Sequence, residues 1–271
     1  MRKYEKILTL VIVLGLILGL ASCSGKSASL DQIKKNGKIV MLTNAAFPPY
    51  EYLGDDNKPA GVDVDIANEL AKELGVKLEI VNMDFDGLIS ALASGKGDFI
   101  AAGMTISDER KKSVDFSVEY STSRQYIVMP TDGTFSALTD LKGKRIGVQL
   151  GTTGDYLVTD AVNGTNDDKG THTKGELEGS GASVSEYKTA LEAALDLKAG
   201  RLDAVVIDKL PAEIIAQKND LKTSASAISD EEKYAYAVKK GNKELLDAIN
   251  KTLNSMIKDG KVEELIKQHT K

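Results

Sequence analysis

The chain has 271 residues, of which 42% are hydrophobic and 28% charged, with no tryptophan. That length and apolar content suit one large domain or two modest ones with a buried core, and exclude collagen, wholesale disorder and a multi-span membrane protein. Formal net charge is −5, and it becomes −7 without the first 22 residues, which carry Arg2, Lys3 and Lys6 against Glu5; such a surface repels nucleic acid and anionic lipid. The single cysteine, Cys23, permits no internal disulfide and no four-cysteine zinc site, and only His172 and His269 are present for histidine chemistry. No cofactor and no metal are expected.

Taken in chain order, residues 2 to 6 carry three positive charges, and Ile7 to Leu20 form an apolar run broken by Thr9 and small glycines. The run is too short to span a bilayer comfortably and fits the core of a secretory signal peptide over residues 1–22. Leu20-Ala21-Ser22-Cys23 follows, small residues up to a cysteine. This resembles the lipobox of bacterial lipoproteins, whose cysteine receives a diacylglycerol and becomes the new N-terminus. Cys23 is thus the expected lipidation site, and residues 23–36, small and polar from Ser24 to Ser29, the expected tether.

Lys38 to Thr43 reads as a buried strand, and Val62, Ile66, Leu70 and Leu74 at four-residue spacing read as a helix leading to a strand at Lys77 to Val81. A helix around Leu88 to Ala93 ends near Gly95 and feeds a strand over Asp98 to Gly103. After Gln125 to Met129 the pattern resumes: a strand at Arg145 to Leu150, a helix from about Thr152, a strand near Val184 to Tyr187, a helix through Leu191 and Leu195, and a strand at Asp203 to Asp208. Helices alternating with buried strands predict mostly parallel sheets, here in two α/β units.

A short repeat supports the division: Leu92-x-x-Gly95-Lys96-x-Asp98 and Leu197-x-x-Gly200-Arg201-x-Asp203 match at an offset of 105. It places Gly103 and Asp208 at equivalent carboxyl ends of strands, where open α/β sheets bind ligands. Asn163 to Ser183 is rich in glycine, threonine and aspartate and reads as an exposed loop with His172 solvated in it. Its match to a calcium loop fails, because Lys169 falls on a ligand position. From Asn242 onward Leu245, Ile249, Leu253, Met256 and Ile257 share a helical face suited to core packing.

Several segments now form a recognisable series: Phe47-Pro48-Pro49-Tyr50-Glu51, Gly61-Val62-Asp63-Val64-Asp65, Met83-Asp84-Phe85-Asp86-Gly87-Leu88, Gly103-Met104-Thr105-Ile106 with Glu109-Arg110, Val114-Asp115-Phe116-Ser117, Gly147 to Gly154, and Asp203 to Asp208. Together, in this order, they resemble the polar amino-acid-binding proteins of bacterial ABC importers, from about Lys38 to the C-terminus. The resemblance implies a type II periplasmic-binding-protein-like α/β fold of two lobes, each a mostly parallel sheet flanked by helices, with a two-stranded hinge. Lobe 1 would comprise residues 37–122 and 234–271, and lobe 2 residues 123–233. It implies a free amino acid as ligand, an ABC permease and its ATPase as partners, a monomer, and an extracytoplasmic place, anchored to the membrane through the N-terminal lipid.

Such a site must offer both signs of charge, since stripping water from a carboxylate or an ammonium without a partner costs several kcal/mol. The family motif carries the carboxylate role onto Arg110, whose planar fork donates two parallel hydrogen bonds, with Thr105 and the Gly103 backbone assisting. On the other lobe Thr152 and Thr153 open a helix whose free amides would face the same carboxylate. The resemblance places Asp208 at the ammonium, makes Phe47 and Phe85 apolar walls, and puts Asn44 and Gln149 near the variable side chain. Asn44 stands where some binders of basic amino acids have aspartate, which favours a polar uncharged ligand over a basic one. A dehydratase-like enzyme using one carboxylate, or a ligand sensor without transport, are the alternatives on this scaffold.

Overall fold

The structure, a computed structural model, describes residues 29–270. The apolar run and Cys23 lie outside the described residues, as does the tether up to residue 28. Its last part, Leu30–Asn36, is a helix instead: Ser29 caps its first turn, and Ile33 is buried in the core, which gives these polar residues a reason to order.

Two five-stranded sheets dominate. The first runs in the order Lys77–Asn82, Lys38–Thr43, Phe99–Ile100, Ala237–Lys239, Val114–Phe116. The second runs Ser183–Tyr187, Arg145–Gln149, Ala204–Asp208, Gln125–Pro130, Leu221–Thr223. In each sheet the first three strands pair in parallel, and the fourth runs against both its neighbours. That reversed strand is the one entering from the other unit, so the two lobes share one topology and exchange one chain crossing each way.

Period-two side-chain alternation explains why both faces of each sheet are covered. In the first sheet Ile39, Met41, Phe99 and Val238 point into one core, toward the helices Val62–Leu74 and Lys243–Lys258, while Leu42, Ile100 and Ala237 point into another with Leu88 and Leu92. In the second, Ile127, Met129, Ile146, Val148 and Val206 alternate in the same way with Val128, Val205 and Ile207.

The repeat at offset 105 has a structural counterpart. Asp98 accepts the Val40 amide through Oδ2 at 2.8 Å, and Asp203 accepts the Arg145 amide through Oδ2 at 2.8 Å. Val40 and Arg145 are themselves 105 residues apart, so each aspartate clamps the neighbouring parallel strand at the same place.

Three sequence expectations change. The strand at Asp98 to Gly103 is short, Phe99–Ile100, because Gly103 at φ +51° turns the chain across the sheet's carboxyl end. Asn163 to Ser183 holds a small antiparallel hairpin, Thr165–Asn166 with His172–Thr173, and buries Leu177 in the second lobe's core. Ile257 is 41% exposed, off the buried stripe of Leu245, Ile249, Leu253 and Met256. In the helix Ala190–Lys198 the core face belongs to Ala193, Ala194 and Leu197, and Leu191 and Leu195 lie outside it.

Two antiparallel strands, Ser121–Ser123 and Glu232–Tyr234, form the connection between lobes. Among the described residues no helix is long and apolar enough to cross a membrane.

Candidate functional site

At the carboxyl ends of both parallel sheets, where the lobes meet, Asn44, Phe47, Phe85, Gly103, Thr105, Arg110, Gln149, Thr152, Thr153 and Asp208 line one cavity, with Ala102 beside them. Topology accounts for the convergence. Asn44 follows the first strand of one lobe and Gln149 ends the first strand of the other, while Gly103 and Asp208 stand after the third strands.

Arg110 lies in the short helix Asp108–Lys111, capped by Ser107, and is 7% exposed. Its Nη1 donates to the Thr105 carbonyl at 2.7 Å and its Nη2 to the Gly151 carbonyl of the opposite lobe at 3.0 Å. The guanidinium carbon stands 5.4 Å from the Phe85 ring centroid, a cation–π contact that also fixes its plane. Burial pulls its pKa down, with Tyr156, Glu232 and Asp208 opposing; it stays charged, as arginine does in proteins. No carboxylate within ion-pair distance compensates it among the described residues.

Asp208, 5% exposed, ends its strand and accepts from Tyr234 OH at 2.5 Å. Burial, then the nearby Glu232 charge, raise its pKa to about 6, against the hydrogen bond from Tyr234. No cation pairs with it among the described residues either. Tyr234 is therefore a hinge residue that orients this carboxylate. Tyr236 instead donates to the Asp63 carbonyl at 2.8 Å, inside lobe 1.

Gly103 could be no other residue: besides its φ of +51°, a Cβ there would lie 2.7 Å from the Phe47 ring. Its N–H donates to Asp63 Oδ2 at 2.9 Å, so what it retains for the cavity is its carbonyl. Behind it is a wholly buried acid cluster. Burial raises Asp63 to about 6 and pushes Glu51 well above its ordinary value, with the Asp63 charge next in importance for Glu51.

Thr152 caps the helix Thr153–Asn163, accepting from the Asp155 amide and donating to the Gln149 carbonyl at 2.7 Å. With the Asp155 amide taken by Thr152, the Thr153 and Gly154 amides are the ones of this first turn left without intrahelical acceptors, and Thr152 and Thr153 line the cavity. Sequence reasoning missed Glu232. Its Oε2 accepts from Thr105 at 2.8 Å and Thr153 at 2.5 Å, one from each lobe, and its Oε1 from Gln125 at 3.1 Å. Nothing in Asp230-Glu231-Glu232-Lys233 marks this residue; the run reads as a solvated charged turn.

The cavity measures about 10 Å³, room for about one water molecule by that measure. In this arrangement the lobes are drawn together by Gln149 Nε2 donating to Asn44 Oδ1 at 3.0 Å and by the Arg110–Gly151 bond. A larger molecule enters when these contacts open. A roomier groove of about 530 Å³ also lies between the lobes, beside Tyr52, Leu53, Leu191 and Ile214. It lacks the opposed buried charges, and charge rather than size distinguishes the two.

Two lobes of this strand order, meeting over a cavity at the carboxyl ends of their parallel strands, define a type II periplasmic binding protein. The chain belongs to the bacterial extracellular solute-binding proteins, family 3, whose model matches residues 39–271. It is 32% identical over 260 residues to the L-cystine-binding protein TcyJ of Escherichia coli (strain K12), covering 94% of this chain and 91% of that protein. It is 34% identical over 267 residues to the arginine-binding extracellular protein ArtP of Bacillus subtilis (strain 168), covering 97% of each. Among solved structures, the ancestral amino acid-binding protein AncCDT-1, a precursor of cyclohexadienyl dehydratase, aligns with a TM-score of 0.77 at 33% identity, over 89% of this chain and 99% of that one.

Proposed function

We propose that this chain is the extracytoplasmic receptor of an ABC importer, capturing a free amino acid between its lobes and presenting it, enclosed, to the permease and its ATPase. The observation that carries the reading is one cavity lined by two buried charges of opposite sign, Arg110 and Asp208, neither of them in an ion pair among the described residues. Buried charge without a counter-charge costs several kcal/mol per ion, and a zwitterion removes both debts at once. Arg110 and the first amides after Thr152 take the carboxylate, and Asp208 with the Gly103 carbonyl takes the ammonium. Phe47 and Phe85 wall the side chain, with Asn44 and Gln149 at its end. Curated relatives named for cystine and for arginine support an amino-acid ligand. The lobes divide at 122/123 and 233/234, the protein works as a monomer, and Cys23 carries the lipid that holds it to the membrane.

A thermal-shift screen against the amino acids tests this, since a ligand at a hundred times its Kd stabilises by about 2.7 kcal/mol; no shift with any of them refutes the reading. The second reading is a dehydratase-like enzyme, favoured by the scaffold's likeness to a dehydratase precursor and by the raised pKa of Asp208. Recovery of chemically unchanged ligand after prolonged incubation excludes it.

A further inference from the structure

We infer that this receptor selects amino acids whose side chain ends in a hydrogen-bond donor and rejects the acidic ones. The inference rests on the amino-acid-receptor reading and names the ligand class within it. The Met83 carbonyl can only accept, so Asn44 must turn Nδ2 toward it, at 2.8 Å, and direct Oδ1 into the cleft. Gln149, reaching across from lobe 2, must then meet that oxygen with Nε2, at 3.0 Å. Chemistry thus fixes the orientation of both amides, which shape alone would leave open. The polar atom this leaves without a partner among the described residues is Gln149 Oε1, an acceptor on a side chain 3% exposed at the cavity wall, while each amide nitrogen keeps one N–H beyond the bond it makes.

A ligand can arrive in two ways. If the Asn44–Gln149 bond survives, the incoming side chain meets Gln149 Oε1. If the ligand parts the two amides, it meets Asn44 Oδ1 in the place that Gln149 Nε2 now holds. Both are acceptors. An amide, guanidinium, ammonium or hydroxyl satisfies either, whereas a carboxylate leaves that oxygen facing another acceptor and finds only neutral amide N–H groups to offset its charge in a desolvated cleft. Nor does the cavity offer a second cation: among its described lining residues Arg110 is the one basic group, and it is assigned to the α-carboxylate.

Calorimetry on the mature protein with L-glutamine, L-arginine and L-glutamate at neutral pH tests the inference. Glutamine and glutamate are nearly isosteric and differ in the one property at issue. The expected result is that glutamine or arginine binds at least about a hundredfold tighter than glutamate, as buried polar groups enforce when a ligand cannot pair with them. Gln149→Met, which removes the free acceptor at similar volume, and Asn44→Asp, which gives the other acceptor a charge, should respectively narrow the glutamine-over-glutamate ratio and raise arginine over glutamine, each at least tenfold in one of the two variants. Glutamate binding as tightly as glutamine, or ratios unmoved in both variants, overturns the inference while leaving the receptor intact. Failure of every amino acid to bind overturns the receptor reading itself, and the inference with it.

Discussion

At the base of the cleft, Glu232 accepts hydroxyl protons from Thr105 and Thr153 on opposite lobes, beside the buried Asp208–Tyr234 pair. At the mouth, Lys188 of lobe 2 reaches Asp84 and Asp86 of lobe 1 at 3.0 and 3.5 Å, with more than a third of every side chain exposed. Both regions join the lobes by charge, yet water treats them differently. A group out of solvent keeps its interaction and suffers fully when the partner is removed; an exposed pair is screened and contributes little. The base should therefore govern affinity, and the mouth should tune it.

The largest effects belong to the two opposed charges. Truncating one partner of a buried charged pair costs about 2 to 5 kcal/mol, so Arg110→Ala or Asp208→Ala should weaken every amino acid by roughly thirtyfold to several thousandfold. Rank order among ligands should survive, because both residues address groups common to all amino acids. Calorimetry with two ligands of different side chain checks this, and a changed preference at unchanged affinity would reverse the assignment.

Protonation divides the same region from within. Asp208 and Asp63 are each held at about 6, above the ordinary 3.8. A carboxyl with a raised folded pKa contributes stability below its unfolded pKa and loses it as pH climbs through the folded value. The ligand-free protein should thus lose stability from about pH 4 to 6 as both groups ionise, and Glu51, also held well above its ordinary value, should add to the loss as it ionises. Affinity should run the other way, falling below about pH 6 as Asp208 takes up the proton that cancels its attraction for an ammonium. Glu51→Gln keeps the shape and removes one titration, so its melting temperature should fall less steeply with rising pH than the wild type's. Parallel slopes would place the proton elsewhere.

Much of this was legible in the sequence, and what was not has a physical reason. Strand periodicity and the 105-residue repeat located the lobes, because burial on both faces of a sheet imposes a pattern on neighbouring residues. The ten residues singled out in the sequence sit in local motifs and line one cavity together. Glu232 was invisible: its role depends on two threonines 127 and 79 residues away in sequence meeting at one oxygen, and its own neighbours are ordinary charges. Likewise the Asn44–Gln149 bond spans 105 residues and exists only once both lobes are folded and apposed.

Glu232 gives the intermediate case. Glu232→Ala leaves two hydroxyls and the Gln125 amide without their acceptor, and hydrogen bonds to a charged group are worth about 1.5 to 3 kcal/mol. The loss is shared with the open state, where one lobe's bond to Glu232 can persist, so roughly tenfold weaker binding is expected. Glu232→Gln should recover part of it, since an amide oxygen still accepts. Equal loss in both variants would make the charge, and not the bridge between lobes, the operative feature.

The smallest effect is expected at the mouth and is the one most diagnostic of the contrast. Lys188 pairs across the lobes with Asp84 and Asp86, so the contact should favour closure and act on ligand dissociation more than on association. Because the pairs are exposed, Lys188→Ala should speed dissociation by no more than about threefold at low salt. That difference should vanish near molar salt, where the screening length falls to about 3 Å. The base should behave otherwise: the loss caused by Arg110→Ala should persist in the same buffers. Stopped-flow dissociation of a bound amino acid, measured for both variants across a salt series, separates the two. A salt-independent loss at Lys188 would mean that the mouth is desolvated on closure and belongs energetically with the base, and a salt-sensitive loss at Arg110 would mean that the cleft stays wet around the guanidinium.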